Sequence, residues 1–240
     1  MIIIHDERLP AEYTRHLEKK MPGFSFVPFR PAEFLKSKVY GSILCHPDIY
    51  FFELDAKTII HAPSVSEKYL RILREKNINL IKGNRDPGGL YPGTALYNAL
   101  RFRNAVFCNP SCINTKVLEE IKKRNLDIIE VSQGYARCSI LAVNDKALIT
   151  SDKGIAAKAR GAGAEVLHLS PGSILLPGEK HGFIGGAYGK TQSEKLIFLG
   201  DLKLHPQAEE IEDFLFKHSV LYVGVEALPL YDAGGLIICE

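Results

Sequence analysis

The feature that most restricts the fold is an internal repeat. The order strand, strand, helix, strand returns about every 45 residues along the 240-residue chain. In the first copy, residues 41–54 and 57–62 are rich in β-branched and aromatic side chains. Ser64 with Glu67 three positions later reads as a capping box opening a helix through Tyr69, Leu70, Ile72 and Leu73, and residues 78–82 return as a strand. The second copy predicts strands over 94–102 and 105–108, a helix through Val117, Leu118 and Ile121, and a strand over 126–131. The third pairs 137–143 with 147–150 across Asn144-Asp145, starts a helix at Asp152 that ends near Gly161 and Gly163, and closes over 165–169. The fourth uses 183–188, 196–199, a helix through Ile211, Phe214 and Leu215, and 220–225.

One strand, residues 235–239, is then left over at the carboxyl end, while the amino end offers what it lacks: a strand at 2–4, a helix from Pro10 to Lys20 and a strand over 24–29. A fifth unit split between the termini closes a ring and removes the sheet edges that a linear array would expose. The expected architecture is a single α/β domain with units at about 41–82, 94–131, 136–170, 183–225, and 234–240 plus 1–29. An ordinary doubly wound sheet is the competing fold. It places one strand before each helix rather than two, and no Gly-x-Gly-x-x-Gly follows a strand here.

Two passages carry a resemblance: the ending Asp232-Ala-Gly-Gly-Leu-Ile-Ile-Cys239 and Cys138-Ser-Ile-Leu-Ala-Val-Asn-Asp-Lys146. With the five units and the split last one, they make the chain resemble the penteins, the five-fold pseudosymmetric α/β propellers of the guanidino-group-modifying enzyme superfamily. That superfamily holds dimethylarginine hydrolases, arginine and agmatine deiminases and amidinotransferases, together with a non-enzymatic ribosome-binding translation factor. The resemblance is to an uncharacterised bacterial branch with this fold. It implies a hydrolase or transferase acting on a small guanidino or amidino compound, with Cys239 as the nucleophile. The alternative is a non-catalytic module of the same fold that binds a small ligand or a protein partner. The superfamily's third-unit histidine has no counterpart in Ser132-Gln-Gly-Tyr-Ala-Arg-Cys138, and Tyr91-Pro-Gly-Thr-Ala95 lacks the usual acidic pair.

His46 and Asp48, two residues apart and expected on one face of a first strand, are candidates for the missing base and carboxylate; the competing reading is a surface histidine with Asp48 capping a turn at Pro47. Asn98, Tyr135, Arg137 and Asp232 are candidate substrate-binding residues near the expected channel, and Cys45 and Cys138 are further thiols there. Asp201 and His205 read as a structural turn. The glycine-rich run 181–189 implies crowded backbone or close ligand approach. Cys108 and Cys112 lack a second ligand pair for zinc, and no cofactor motif is present.

A net charge of +2, with Lys and Arg scattered, argues against specific nucleic-acid binding. The opening Met-Ile-Ile-Ile-His-Asp-Glu-Arg interrupts any signal-peptide core, and no apolar run approaches the ~20 residues of a membrane span. Five cysteines without a paired framework suit reduced thiols, so a soluble cytoplasmic protein is expected.

Overall fold

A computed structural model describes residues 1–240. Five three-stranded sheets are arranged with one strand order throughout. The first sheet joins β3 (Phe51–Asp55), β4 (Thr58–His61) and β5 (Asn79–Lys82), and the second joins β6 (Leu100–Phe102), β7 (Ala105–Cys108) and β8 (Asp127–Glu130). The third is built from β9 (Ile140–Ala142), β10 (Ala147–Thr150) and β11 (Glu165–His168), and the fourth from β12 (Tyr188–Lys190), β13 (Leu196–Phe198) and β14 (Tyr222–Gly224). In each, the first strand runs antiparallel to the second, and the second runs parallel to the third.

The fifth sheet is the split one. Strand β1 (Ile2–Asp6) is its middle strand, parallel to β2 (Ser25–Phe29) and antiparallel to β15 (Ile237–Cys239). Its register sets Ile2 opposite Cys239 and Ile4 opposite Ile237. The ring is sealed by backbone bonds from the last unit to the fourth, since Ala233 N and Gly235 N both donate to the Gly186 carbonyl and Leu236 N donates to that of Tyr188.

One helix crosses from the second to the third strand of each unit: α1 (Ala11–Lys20), α2 (Glu67–Glu75), α3 (Thr115–Lys123), α5 (Lys153–Gly161) and α6 (Ala208–Lys217). The remaining helix, α4 (Ala136–Ser139), is a single turn leading into β9. Each crossover helix buries one stripe, such as Tyr69, Leu70 and Leu73 of α2 or Ile211, Phe214 and Leu215 of α6. No helix is long and apolar enough to cross a membrane. Asp152 caps α5 by accepting from Ile155 N at 2.8 Å. An Asp152→Ala variant is expected to lose about 1 kcal/mol in urea denaturation.

The structure corrects the sequence reading at the entry to every inner strand. Residues 41–54 form 3₁₀ turns at Gly41–Ile43 and Pro47–Ile49 before β3 begins at Phe51. Likewise, 94–99 precede β6 as turns, 137–139 belong to α4, 184–187 form a 3₁₀ turn, and the last strand starts at Ile237. His46 and Asp48 therefore sit in a turn rather than on one strand face. The inner strands converge on the ring's centre, where entry segments bond to a neighbouring unit instead of extending their own ladder, as the Gly186 carbonyl does. The cap of α2 also moves: Ser66 accepts from Lys68 N, whereas Ser64 Oγ has no partner.

Candidate active site in the central channel

The inner strands surround a cavity of about 590 Å³. Asp48 and Arg137 stand on its wall, together with Glu53 of β3, Tyr188 and Lys190 of β12, and Cys239 of β15. Asp48 and Arg137 belong to the entry turns, and these turns carry a buried polar cluster.

Within the cluster the Cys138 thiol donates to Asp48 Oδ2 at 2.7 Å. Asn98 braces this pair: its Nδ2 reaches the sulfur at 3.2 Å and the Asp48 carbonyl at 3.4 Å, while its Oδ1 accepts from Cys138 N at 3.2 Å. Asp48 is only 4% exposed and its other oxygen, Oδ1, has no partner. Burial pushes its carboxyl up to about 6, although His46, Arg137 and the thiol donation all pull it down, while Asp232 adds to the push. Burial, reinforced by the charges of Asp48 and Asp232, holds Cys138 well above the ordinary thiol range.

Two further charged groups shape the channel. Burial pushes the Glu53 carboxyl up against the opposing pull of Arg137 and Lys190, and Asp48 adds to that push. Arg137 donates to the Gly185 carbonyl and lays its guanidinium 4.8 Å from the centre of the Tyr188 ring. Gly185 and Gly186 have no room for a side chain. A Cβ on Gly186 would lie 1.8 Å from Asp232 Oδ1, and one on Gly185 would lie 2.2 Å from the Arg137 carbonyl. Close packing of the fourth unit's entry turn against the third and fifth therefore accounts for the glycine-rich run.

Asp48, Arg137 and Cys239 meet on the channel wall, with Asn98 directly behind Asp48. His46 is elsewhere. It is buried with Nδ1 3.8 Å from Asp232 Oδ1 and Nε2 3.8 Å from Asp6 Oδ2, both beyond hydrogen-bond reach. Asp6 is engaged by Arg8, whose Nη2 approaches it at 2.6 Å, and Asp232 caps a turn by accepting from Phe183 N at 2.8 Å and Gly234 N at 3.0 Å. Tyr135 shares a hydroxyl hydrogen bond with Thr94 at 2.5 Å and packs on Tyr91. Cys239 belongs to an apolar cluster with Ile2, Ile59 and Ile237, and burial, with Glu53 nearby, pushes its thiol up to about 12. No histidine or carboxylate hydrogen-bonds its sulfur. Cys239 thus borders the channel and at the same time packs into the apolar core between β15 and the first sheet.

Glu53 and Lys190 were not among the residues singled out from the sequence. The signal for Glu53 was a lone acid between apolar neighbours in Phe51-Phe-Glu-Leu-Asp55. Asp201 accepts from Lys203 N and Ala227 N, both at 3.0 Å, and His205 Nδ1 accepts from Gln207 N at 3.0 Å, so both stabilise local turns. No three His, Cys, Asp or Glu side chains are grouped to hold a metal ion, and all five cysteines are free and buried.

Solved structures share this architecture across nearly the whole chain. The inosamine-phosphate amidinotransferase of Streptomyces griseus aligns with a TM-score of 0.59 at 11% identity, covering 98% of this chain and 82% of that one. Dimethylarginine dimethylaminohydrolase from Pseudomonas aeruginosa, complexed with citrulline, aligns at 0.56 with 7% identity over 93% and 91% of the two chains. An amidinotransferase of the saxitoxin biosynthetic pathway from Microseira wollei gives 0.56 and 10% identity over 93% and 87%. The fold is that of the penteins. Residues 4–237 match the model of a family of unknown function (DUF6873), and the chain belongs to that family. No curated protein matches the sequence.

Proposed function

We propose that the central channel binds a small guanidino or amidino compound and that the protein acts on it as a hydrolase or transferase through a channel thiol. One observation carries the binding part. Asp48 and Glu53 share the channel, and neither has a Lys or Arg side chain within salt-bridge distance. Buried carboxylates without a cationic partner are costly, and a planar cation with several N–H donors relieves that cost by bridging them. Arg137 and Lys190, on the same wall, offer positive charge to an acidic end of such a compound.

A second reading, a module that holds the cation without breaking it, is favoured by Cys239 itself. Its thiol is held protonated among apolar side chains, with no base bonded to it.

Calorimetric titration with agmatine and arginine tests the binding, with urea as the uncharged comparison. Asp48→Asn and Glu53→Gln are each expected to weaken binding by about tenfold or more, the usual consequence of losing one charge-assisted hydrogen bond. Equal affinity in the variants, or equal affinity for urea, refutes the reading.

A further inference from the structure

The strongest unused chemistry in the molecule is the thiol–carboxylate pair behind the channel wall. We infer that Cys138, activated by Asp48, is the thiol that attacks the guanidino or amidino carbon, in place of Cys239. This rests on the channel holding such a cation.

Cys138 is the cysteine whose sulfur bonds a carboxylate at close range, 2.7 Å, whereas Cys45 reaches Glu7 at 3.7 Å and Cys112 reaches the Tyr91 hydroxyl at 3.9 Å. The carboxylate it bonds, that of Asp48, also stands on the channel wall. Asp48 thus presents Oδ2 to the thiol and keeps Oδ1, unpartnered and buried, for a second donor. A cation bound through Oδ1 would lie one carboxylate away from the sulfur. Arg137, the chain neighbour of Cys138, lines the same cavity and is near enough to pull the Asp48 carboxyl down.

The step balances within the site. As the Sγ–carbon bond forms, the thiol proton passes to Asp48, and the cationic substrate becomes a neutral tetrahedral adduct. Asp48 then returns the proton to the departing nitrogen. The carbon–nitrogen bond breaks, a neutral amine leaves, and an S-amidino cation remains on Cys138 beside the carboxylate. Asn98 Nδ2, 3.2 Å from the sulfur, stabilises the charge that develops there during proton transfer. Protonation of Asp48 stops the transfer. The charged and titratable groups facing it, His46, Arg137, Cys138, Asp232 and, on the same cavity, Glu53, set where that happens.

Chloroacetamidine, a small amidine carrying an alkylating carbon, is the probe, with neutral chloroacetamide as its comparison and peptide mapping as the readout on the full chain. The amidine is expected to label Cys138 faster than the amide does, and agmatine should slow it. Asp48→Asn should lower the limiting labelling rate about a hundredfold, as loss of a general base does, while Glu53→Gln changes mainly the half-saturating concentration. Labelling at Cys239, equal rates with the two reagents, or a Cys138 silent until denaturation overturns the inference. Calorimetry with agmatine separates the two levels. Binding without labelling at Cys138 removes only this nucleophile, and absence of both removes the channel reading as well.

Discussion

A chain lacking residues 234–240 is expected to show no cooperative melting transition. Those residues include Leu236, Ile237 and Cys239, each at most 4% exposed, and the β15 ladder against Ile2, Ile3 and Ile4. Burial of three such side chains contributes about 5–8 kcal/mol. That is comparable with the ~5–15 kcal/mol by which a domain exceeds its unfolded state. The loss also strips the Gly186 carbonyl of its Gly235 donor and leaves β1 with an open edge in the ring's interior. Circular dichroism melting of the truncated chain decides the matter, and a sigmoidal transition at the full-length midpoint would show that the ring does not depend on its carboxyl-terminal strand.

Asp48→Asn should stabilise the protein at neutral pH while weakening the site. Burial raises this carboxyl from 3.8 to about 6, so the folded chain holds the proton more tightly than the unfolded chain does. Stability contributed by Asp48 is therefore complete at low pH, falls as pH rises through the window from about 4 to 6, and stays low above it. A shift of that size corresponds to about 3 kcal/mol at most at pH 7.5. Asparagine keeps an acceptor for the Cys138 thiol without the buried charge. Urea denaturation of both proteins at pH 4 and 7.5 should show a gain for the variant only at the higher pH. A constant difference at the two pH values would mean that Asp48 carries no such burden. Stability given up for a charged site is the usual mark of function over folding.

The order of elements was legible because each unit repeats a pattern that local sequence controls. The apolar stripe of α6 and the Asp152 cap of α5 depend on residues within a few positions of one another. The entry turns were not legible. Residues such as Tyr97, Cys138 and Ile184 have the composition of strands, and only the proximity of another unit bends them into turns. The same limit governs the site. Asp48, Arg137, Asn98 and Cys239 could be named from their places in the repeat, but the pairing of Cys138 with Asp48 spans 90 residues and has no local signature. His46 has a base's place in the sequence only on a strand shared with Asp48, and the turn at Pro47 sends it toward Asp6 and Asp232 instead.

The position of β1 in the middle of its sheet bears on how the molecule is assembled during synthesis. Units one to four are contiguous in sequence, so each can form its sheet as soon as its own residues have left the ribosome. The fifth cannot. Its central strand emerges before all four of them, and the strand that Ile2, Ile3 and Ile4 pair with follows roughly 230 residues later. Joining ends that far apart carries a closure cost of about 5 kcal/mol for a flexible chain. Much of that cost is removed if the four intervening units have already folded and curved the chain ends toward each other. Until then β1 has β2 on one side and an open, apolar edge on the other, which makes the period before ring closure the time at which this chain is most exposed to misassembly and to capture by chaperones.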